Sequence, residues 1–252
     1  MRALVILAMM LATTLPARAG EIVGALSQNR VSLSANFTGS EILIFGAIRP
    51  VDGVEPGDFE IAVVIEGPRQ PVVIWRKIRR MGIWVNGDGV SLASVPSFYA
   101  VATTAPLSEI LSPETDAQFR ISPEQAIRAE QALGDVADRG EFTQALLRLR
   151  AETEQYRTLE RWVQLDRGIL FRANVRLPAN LIEGAYTTRM FLLRDGEVIH
   201  QYRNAIFVRK DGLERWLYQT AYDQPLLYGL MALAMALAAG WGASALTRFL
   251  RW

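Results

Sequence analysis

Four cations stand between two tryptophans in the run Trp75-Arg76-Lys77-Ile78-Arg79-Arg80-Met81-Gly82-Ile83-Trp84-Val85-Asn86. Guanidinium and ammonium groups interleaved with indoles can hold an anionic headgroup, a small anion or the acidic surface of a protein partner, through charge-assisted hydrogen bonds and cation–π contact. Trp75, Arg76, Lys77, Arg79, Arg80, Trp84 and Asn86 are therefore the candidate interaction surface. The same pattern also fits a strand edge whose indoles enter the core while the cations lay their stems over apolar surface. Both readings stay open at this level.

Residues for bond-making chemistry are scarce. The chain has no Cys and one His, His200, which excludes disulfides, thiol catalysis, Fe–S clusters, zinc ribbons and multi-His metal sites. His200 lies in a strand-like run, where a structural role is the simpler reading than a general base. No G-x-S-x-G, no paired S-x-x-K motif and no Gly-rich phosphate loop is present. The carboxylate pairs Glu55/Asp58 and Glu152/Glu154 fall in turns or on polar helix faces. No catalytic, metal-binding or cofactor-binding residue is assigned, no cofactor is expected, and the expected class is non-enzymatic. A net charge of +1 lacks the field that non-specific nucleic-acid binding requires, so nucleic acid is not an expected partner.

The ends of the chain decide where these residues work. Residues 1–19 combine Arg2, an uncharged run from Ala3 to Leu15 and the small-residue triplet Ala17-Arg18-Ala19, the pattern of a secretory signal peptide cleaved before Gly20. Pro225 to Leu246 carries no formal charge, and as a helix it would run about 33 Å, enough to cross a hydrocarbon core of about 30 Å. Residues 225–246 are thus predicted as a transmembrane helix and 247–252 as a cytoplasmic tail. Trp216, Tyr222, Tyr228, Trp241, Arg248, Arg251 and Trp252 are placed as membrane-interface anchors, because indoles, phenols and terminal cations favour that zone. An exported N-terminus puts the intervening domain in the periplasm. Counting cations does not settle orientation, since Arg209, Lys210 and Arg215 stand on one flank against Arg248 and Arg251 on the other.

Residues 20–224 suffice for one domain with its own core. Short runs rich in Val, Ile and Phe predict strands at 30–37, 41–48, 59–65, 72–75 and 98–103, parted by clusters such as Thr38-Gly39-Ser40, Gly67-Pro68 and Asn86-Gly87-Asp88-Gly89 that read as turns. A helical insertion is expected at about 106–164. Ser122-Pro123-Glu124-Gln125 has a cap residue followed by Pro at the first helical position; Phe142, Ala145, Leu146, Leu149 and Tyr156 keep helical spacing, and Gly140 is expected to divide two helices. Strands resume at Gly168, where Ile169, Phe171, Ala173, Val175 and Leu177 alternate with polar residues, and Arg194-Asp195-Gly196-Glu197 reads as a hairpin turn. Leu181-Ile182-Glu183-Gly184-Ala185-Tyr186 resembles the tyrosine corner of immunoglobulin-like sandwiches. The expected fold is mainly β: an Ig-like β-sandwich periplasmic domain with an α-helical insertion and one C-terminal transmembrane helix.

Several segments together carry a family resemblance: Phe37-Thr38-Gly39-Ser40, Ile44-Phe45-Gly46-Ala47, Trp75-Arg76-Lys77, Gly82-Ile83-Trp84-Val85-Asn86, Val95-Pro96-Ser97-Phe98-Tyr99-Ala100-Val101 and Leu227-Tyr228-Gly229. With them the chain resembles the alphaproteobacterial putative transmembrane protein family of unknown function. The resemblance implies a single-pass inner-membrane protein with a periplasmic domain. It also implies genes that often adjoin a sulfite-exporter (TauE/SafE) type permease, and hence a permease-like integral membrane partner beside the lipid bilayer itself. The expected function is an accessory subunit of a membrane complex; the alternative is a tethered periplasmic ligand-binding or sensor protein.

Overall fold

The computed structural model describes residues 20–34, 37–49, 59–128, 139–210 and 213–249. The expected signal peptide, the Glu55/Asp58 pair and the tail residues Arg251 and Trp252 lie outside the described residues. Among the described residues the strands are β1 (Glu21–Leu26), β2 (Arg30–Leu33), β3 (Ser40–Arg49), β4 (Glu60–Glu66), β5 (Arg69–Arg80), β6 (Ile83–Pro96) and β7 (Tyr99–Thr103). The helices α1 (Leu107–Ile110), α2 (Pro113–Phe119), α3 (Pro123–Arg128) and α4 (Arg139–Glu152) come next, then β8 (Tyr156–Leu159), β9 (Gln164–Asp166), β10 (Leu170–Leu177), β11 (Gly184–Arg194) and β12 (Glu197–Lys210). Two helices close the chain, α5 (Leu213–Asp223) and α6 (Pro225–Phe249).

Period-two alternation builds a first sheet in the order β1-β3-β10-β9. Ile42, Ile44 and Ile48 of β3 and Phe171, Ala173, Val175 and Leu177 of β10 point inward, while Arg172, Asn174 and Arg176 face water, as the alternation in the sequence predicts. The second sheet, β2-β12-β11-β4-β7-β8, packs its Ile61, Val63, Ile65, Met190 and Leu192 face against the first. Its opposite face, with Ala62, Val64, Tyr99, Val101, Phe191 and Leu193, is covered by Ile121, Ala126, Ile127, Phe142 and Leu146 of the helical stretch and by Ile74, Val90 and Leu92 of β5 and β6. The central sheet is therefore buried on both sides, which explains the unbroken apolar run of β4 and β7. The fold is mainly β, with sheets packed on each other, a helical layer and one long apolar C-terminal helix.

Local signals position several of these parts. The backbone N–H of Gln125 donates to Ser122 Oγ at 3.3 Å, which caps α3 with Pro123 as its first residue. Tyr186 Oη donates to the Ile182 carbonyl at 2.9 Å and accepts from the Ile182 N–H at 3.2 Å, closing the corner predicted from Leu181–Tyr186. Asp195 and Gly196, at φ 50° and 82°, make the two-residue β11–β12 turn.

Other expectations are corrected. The helical stretch stops at Glu152, short of the expected limit near 164: Tyr156 starts β8, which pairs in parallel with β7. A four-residue strand has too few positions to show its period, so its helical spacing with Phe142 and Leu146 is accidental. Gly140 sits in the first turn of α4, where a missing side chain is tolerated, and does not separate helices. Asn86-Gly87-Asp88-Gly89 is not a turn; it lies inside β6.

Beyond the sequence motifs, Arg189 of β11 ties α2 to the central sheet. Its guanidinium donates to the carbonyls of Phe119 (2.7 Å) and Arg120 (2.9 Å) and to Tyr99 Oη (3.1 Å), with Glu66 at 3.6 Å and Arg69 in turn on Glu66 at 2.6 Å. A cation against the last carbonyls of a helix is favoured by their partial negative charge. Burial raises the Tyr99 phenol well above its ordinary value despite that guanidinium, because the ionised form would lose its hydration.

Candidate interaction surface

Among the described residues β5 and β6 pair only with each other, in a ribbon whose base joins the body and whose outer part leaves it. At the base Ile74, Val90 and Leu92 are buried against the helical layer. Further out, no second sheet or helix among the described residues covers the strands. The cross-strand pairs Lys77–Asn86, Ile78–Val85, Arg79–Trp84 and Arg80–Ile83 lead to a two-residue turn at Met81 (φ 49°) and Gly82 (φ 83°). Both turn residues are left-handed, as the twist of a two-residue hairpin requires. Gly82 adopts that region freely, while Met81 carries a β-carbon there at a cost of about 1–2 kcal/mol. Neither Asn nor Asp marks the turn, so the Asn86–Gly89 cluster is the stronger, misleading signal.

The glycines of that cluster make room. A β-carbon on Gly89 would lie 2.7 Å from Trp75 Cε3, and one on Gly87 would lie 2.9 Å from Ile78 Cγ2. The indole of Trp75 and the Ile78 side chain thus lie over bare backbone of the facing strand. Two register shifts, between Gln70 and Val72 and between Trp75 and Lys77, coil the ribbon.

Alternation divides the candidate residues between two faces. Trp75, Lys77, Arg79, Trp84 and Asn86 share one, where Lys77 Nζ donates to Asn86 Oδ1 at 2.6 Å. Arg76 and Arg80 are on the other. Arg76 Nη2 meets Glu141 Oε2 of α4 at 2.9 Å, and its guanidinium lies 5.1 Å from the centre of the Phe142 ring. Trp75 is 52% exposed and Trp84 67%. The alternative in which these indoles enter the core is therefore corrected: both are more than half exposed, Trp75 beside α4 and Trp84 at the tip. Arg79 and Arg80 are exposed, and among the described residues neither forms an ion pair. Between the ribbon and α4 opens a cleft of about 530 Å³, with Trp75, Arg76, Glu141, Phe142 and Arg148 on its walls. Sequence reading misses the α4 side of this cleft, because Glu141 and Arg148 look like any solvated helix face.

His200 Nδ1 accepts from the Ile22 N–H at 3.3 Å, a contact between β12 and β1. At the C-terminal end, α6 exposes Tyr228 and Trp241, and its stretch Pro225–Ser244 is long and apolar enough to cross a membrane. The exposed rings of Tyr218 and Tyr222 on α5 lie with centres 4.6 Å apart. Trp216 falls in α5 and Arg248 in the last turn of α6; their side chains lie outside the described residues. A family described as "Putative transmembrane protein (Alph_Pro_TM)" matches residues 21–249. The chain belongs to this family. It is accordingly a membrane protein, and among the described residues α6 is the helix long and apolar enough to cross the bilayer. No curated protein matches the chain.

Proposed function

We propose that this chain is a non-catalytic, single-pass accessory subunit of a membrane complex, with its β domain in the periplasm, its C-terminus in the cytoplasm and α6 in the inner membrane. One observation carries the reading: side chains of interaction chemistry are concentrated on two elements with no role in the core, the apolar α6 and the outer, cationic and indole-bearing part of the β5–β6 ribbon. The partner is an integral membrane protein, a permease-like one by the family's implied gene neighbours. The Ig-like reading of the sandwich is supported by the corner bond of Tyr186. Solubilisation in mild detergent and then affinity purification with mass spectrometry tests the reading, which requires a stoichiometric membrane protein in the eluate. Recovery as a lone chain at native expression would overturn it. For orientation, a phosphatase fused after Trp252 is expected to be inactive and a fluorescent protein fused there bright; the opposite pair would reverse the topology.

A tethered ligand-binding or sensor role is favoured by a different observation, the cleft beside α4 with Arg76, Arg148 and Trp75 on its walls. That role requires a small anion to raise the melting temperature of the purified chain in the absence of any partner, an effect that Arg148→Gln removes.

A further inference from the structure

We propose, on the reading of the ribbon as an attachment element, that its tip from Lys77 to Asn86 seats on the anionic headgroup layer of the membrane that α6 crosses. Three features of the tip fit a bilayer surface. First, Lys77, Arg79 and Arg80 are present with no acidic residue before Asp88, so the tip is uniformly cationic and drawn to negatively charged lipid. Second, its apolar groups are the most exposed of the ribbon: Met81 is fully exposed, Ile83 65% and Trp84 67%. Indole and apolar side chains beside cations are the composition that partitions to the headgroup boundary. Third, the pairs Ile78–Val85, Arg79–Trp84 and Arg80–Ile83 hold the tip as a paired hairpin. The outward-facing amides of its two free edges require water or lipid headgroups as partners, so such a hairpin suits the hydrated headgroup layer and not the hydrocarbon core.

Reach and proximity agree. From Trp75 to Arg80 the ribbon extends about 20 Å, while α5, which lies between β12 and α6, is about 16 Å long. The span therefore holds the domain close to the bilayer, and tethering raises the effective concentration of a contact that would be weak for a free domain.

The chain contains no Cys, so Met81→Cys gives one labelling site for a polarity-sensitive fluorophore in the full-length protein. The labelled chain is reconstituted into vesicles of phosphatidylcholine, with or without added phosphatidylglycerol, alongside a Gln118→Cys control on the exposed side of α2. With phosphatidylglycerol, emission at position 81 is expected to shift to the blue and to be quenched several-fold more by headgroup-level lipid quenchers, while position 118 stays aqueous. Arg79→Gln with Arg80→Gln should remove most of that gain. So should salt raised from about 0.1 M to about 1 M, where screening shortens from ~10 Å to ~3 Å.

Met81→Asn, read through a label at Ile83→Cys, relaxes the turn while removing the apolar tip, and is expected to weaken quenching with the hairpin intact. A label at 81 that remains in water in both lipids overturns the proposal. So does equal shielding at 81 and 118, or shielding that requires a co-purified membrane protein, which would make the partner an acidic protein surface. The accessory-subunit reading is judged separately, by co-purification, and either result can fail without the other.

Discussion

β4 and β5 carry the same tripeptide with opposite outcomes. In β4, Val63, Val64 and Ile65 are all within 1% of complete burial; in β5, Val72, Val73 and Ile74 alternate, with Val73 52% exposed and Ile74 buried. Identical side chains have identical strand propensity, so the difference comes from neighbours. β4 lies between β11 and β7 in a sheet covered on both faces, whereas β5, among the described residues, has β6 alone as a strand neighbour and loses its cover beyond Arg76, whose guanidinium still meets α4. The residues on the C-terminal side of the tripeptide distinguish the two strands in the sequence: β4 gives way to Gly67-Pro68, which is no turn but bonds across to Phe98 and Ser97, while β5 continues through Trp75-Arg76-Lys77 toward the exposed tip. A strand that continues into cations is leaving the body.

The sharpest way to break that comparison is to put a charge on each strand. Val64→Asp would bury an unpaired carboxylate between the central sheet and the helices and is expected to cost more than about 4 kcal/mol, enough to abolish the cooperative melting transition. Val73→Asp, on the exposed face of β5, is expected to stay within about 0.5 kcal/mol. Comparable losses in thermal melts of the two variants would mean that the ribbon is packed after all.

A smaller effect should appear at high pH and belong to the body alone. Burial raises the phenols of Tyr99, Tyr156 and Tyr186 above their ordinary value. The folded state therefore keeps these protons while the unfolded chain releases them near pH 10. Their contribution is complete below that pH and is lost as pH rises toward the folded values, at up to about 1.4 kcal/mol per pH unit for each phenol. Denaturant melts between pH 9 and pH 11 should show this decline, with delayed tyrosinate absorbance. Tyr156→Phe should flatten it, at the expense of the 2.7 Å bond from Tyr156 Oη to the Pro96 carbonyl.

Smaller still is the corner. Tyr186→Phe removes both bonds to Ile182 while leaving the ring in place, and the half-exposed Ile182 backbone can turn to water, so a loss of about 1 kcal/mol is expected. A melting temperature unchanged by Tyr186→Phe would make the corner ornamental to stability.

These regions also differ in how readable they are. Leu170–Leu177 declares its faces because every second residue is apolar and the strand borders water. The corner and the Asp195-Gly196 turn are legible because each depends on residues a few positions apart. β8 is not, since four residues placed by a parallel pairing across the whole helical stretch leave no local trace. The hairpin tip misleads for a physical reason: Gly87 and Gly89 serve to accept side chains from the facing strand, a requirement that looks like a turn when the facing strand is unknown. The candidate residues stand together in the sequence, but their division between two faces, and the contact of Arg76 with Glu141, need the fold.

The smallest expected effect is also the most discriminating for the ribbon. Trp84 projects from the tip, two residues past the turn, opposite Arg79 and away from every buried cluster. Removing an indole from a core costs about 3–5 kcal/mol, because its transfer energy is lost and a cavity remains. At the tip neither term applies, since the side chain is already largely in water and its removal leaves no void. Trp84→Ala is therefore expected to change stability by less than about 0.5 kcal/mol, while Trp75→Ala costs somewhat more, because that indole covers the backbone at Gly89. Thermal melts of the two variants, beside Arg79→Gln as a surface control, provide the measurement. If Trp84→Ala lowers the melting temperature as far as a core truncation such as Phe191→Ala does, the tip is held by the body and cannot be the free end of an attachment element. If it leaves the melt unchanged while membrane or partner attachment falls, the indole works by contact outside the fold.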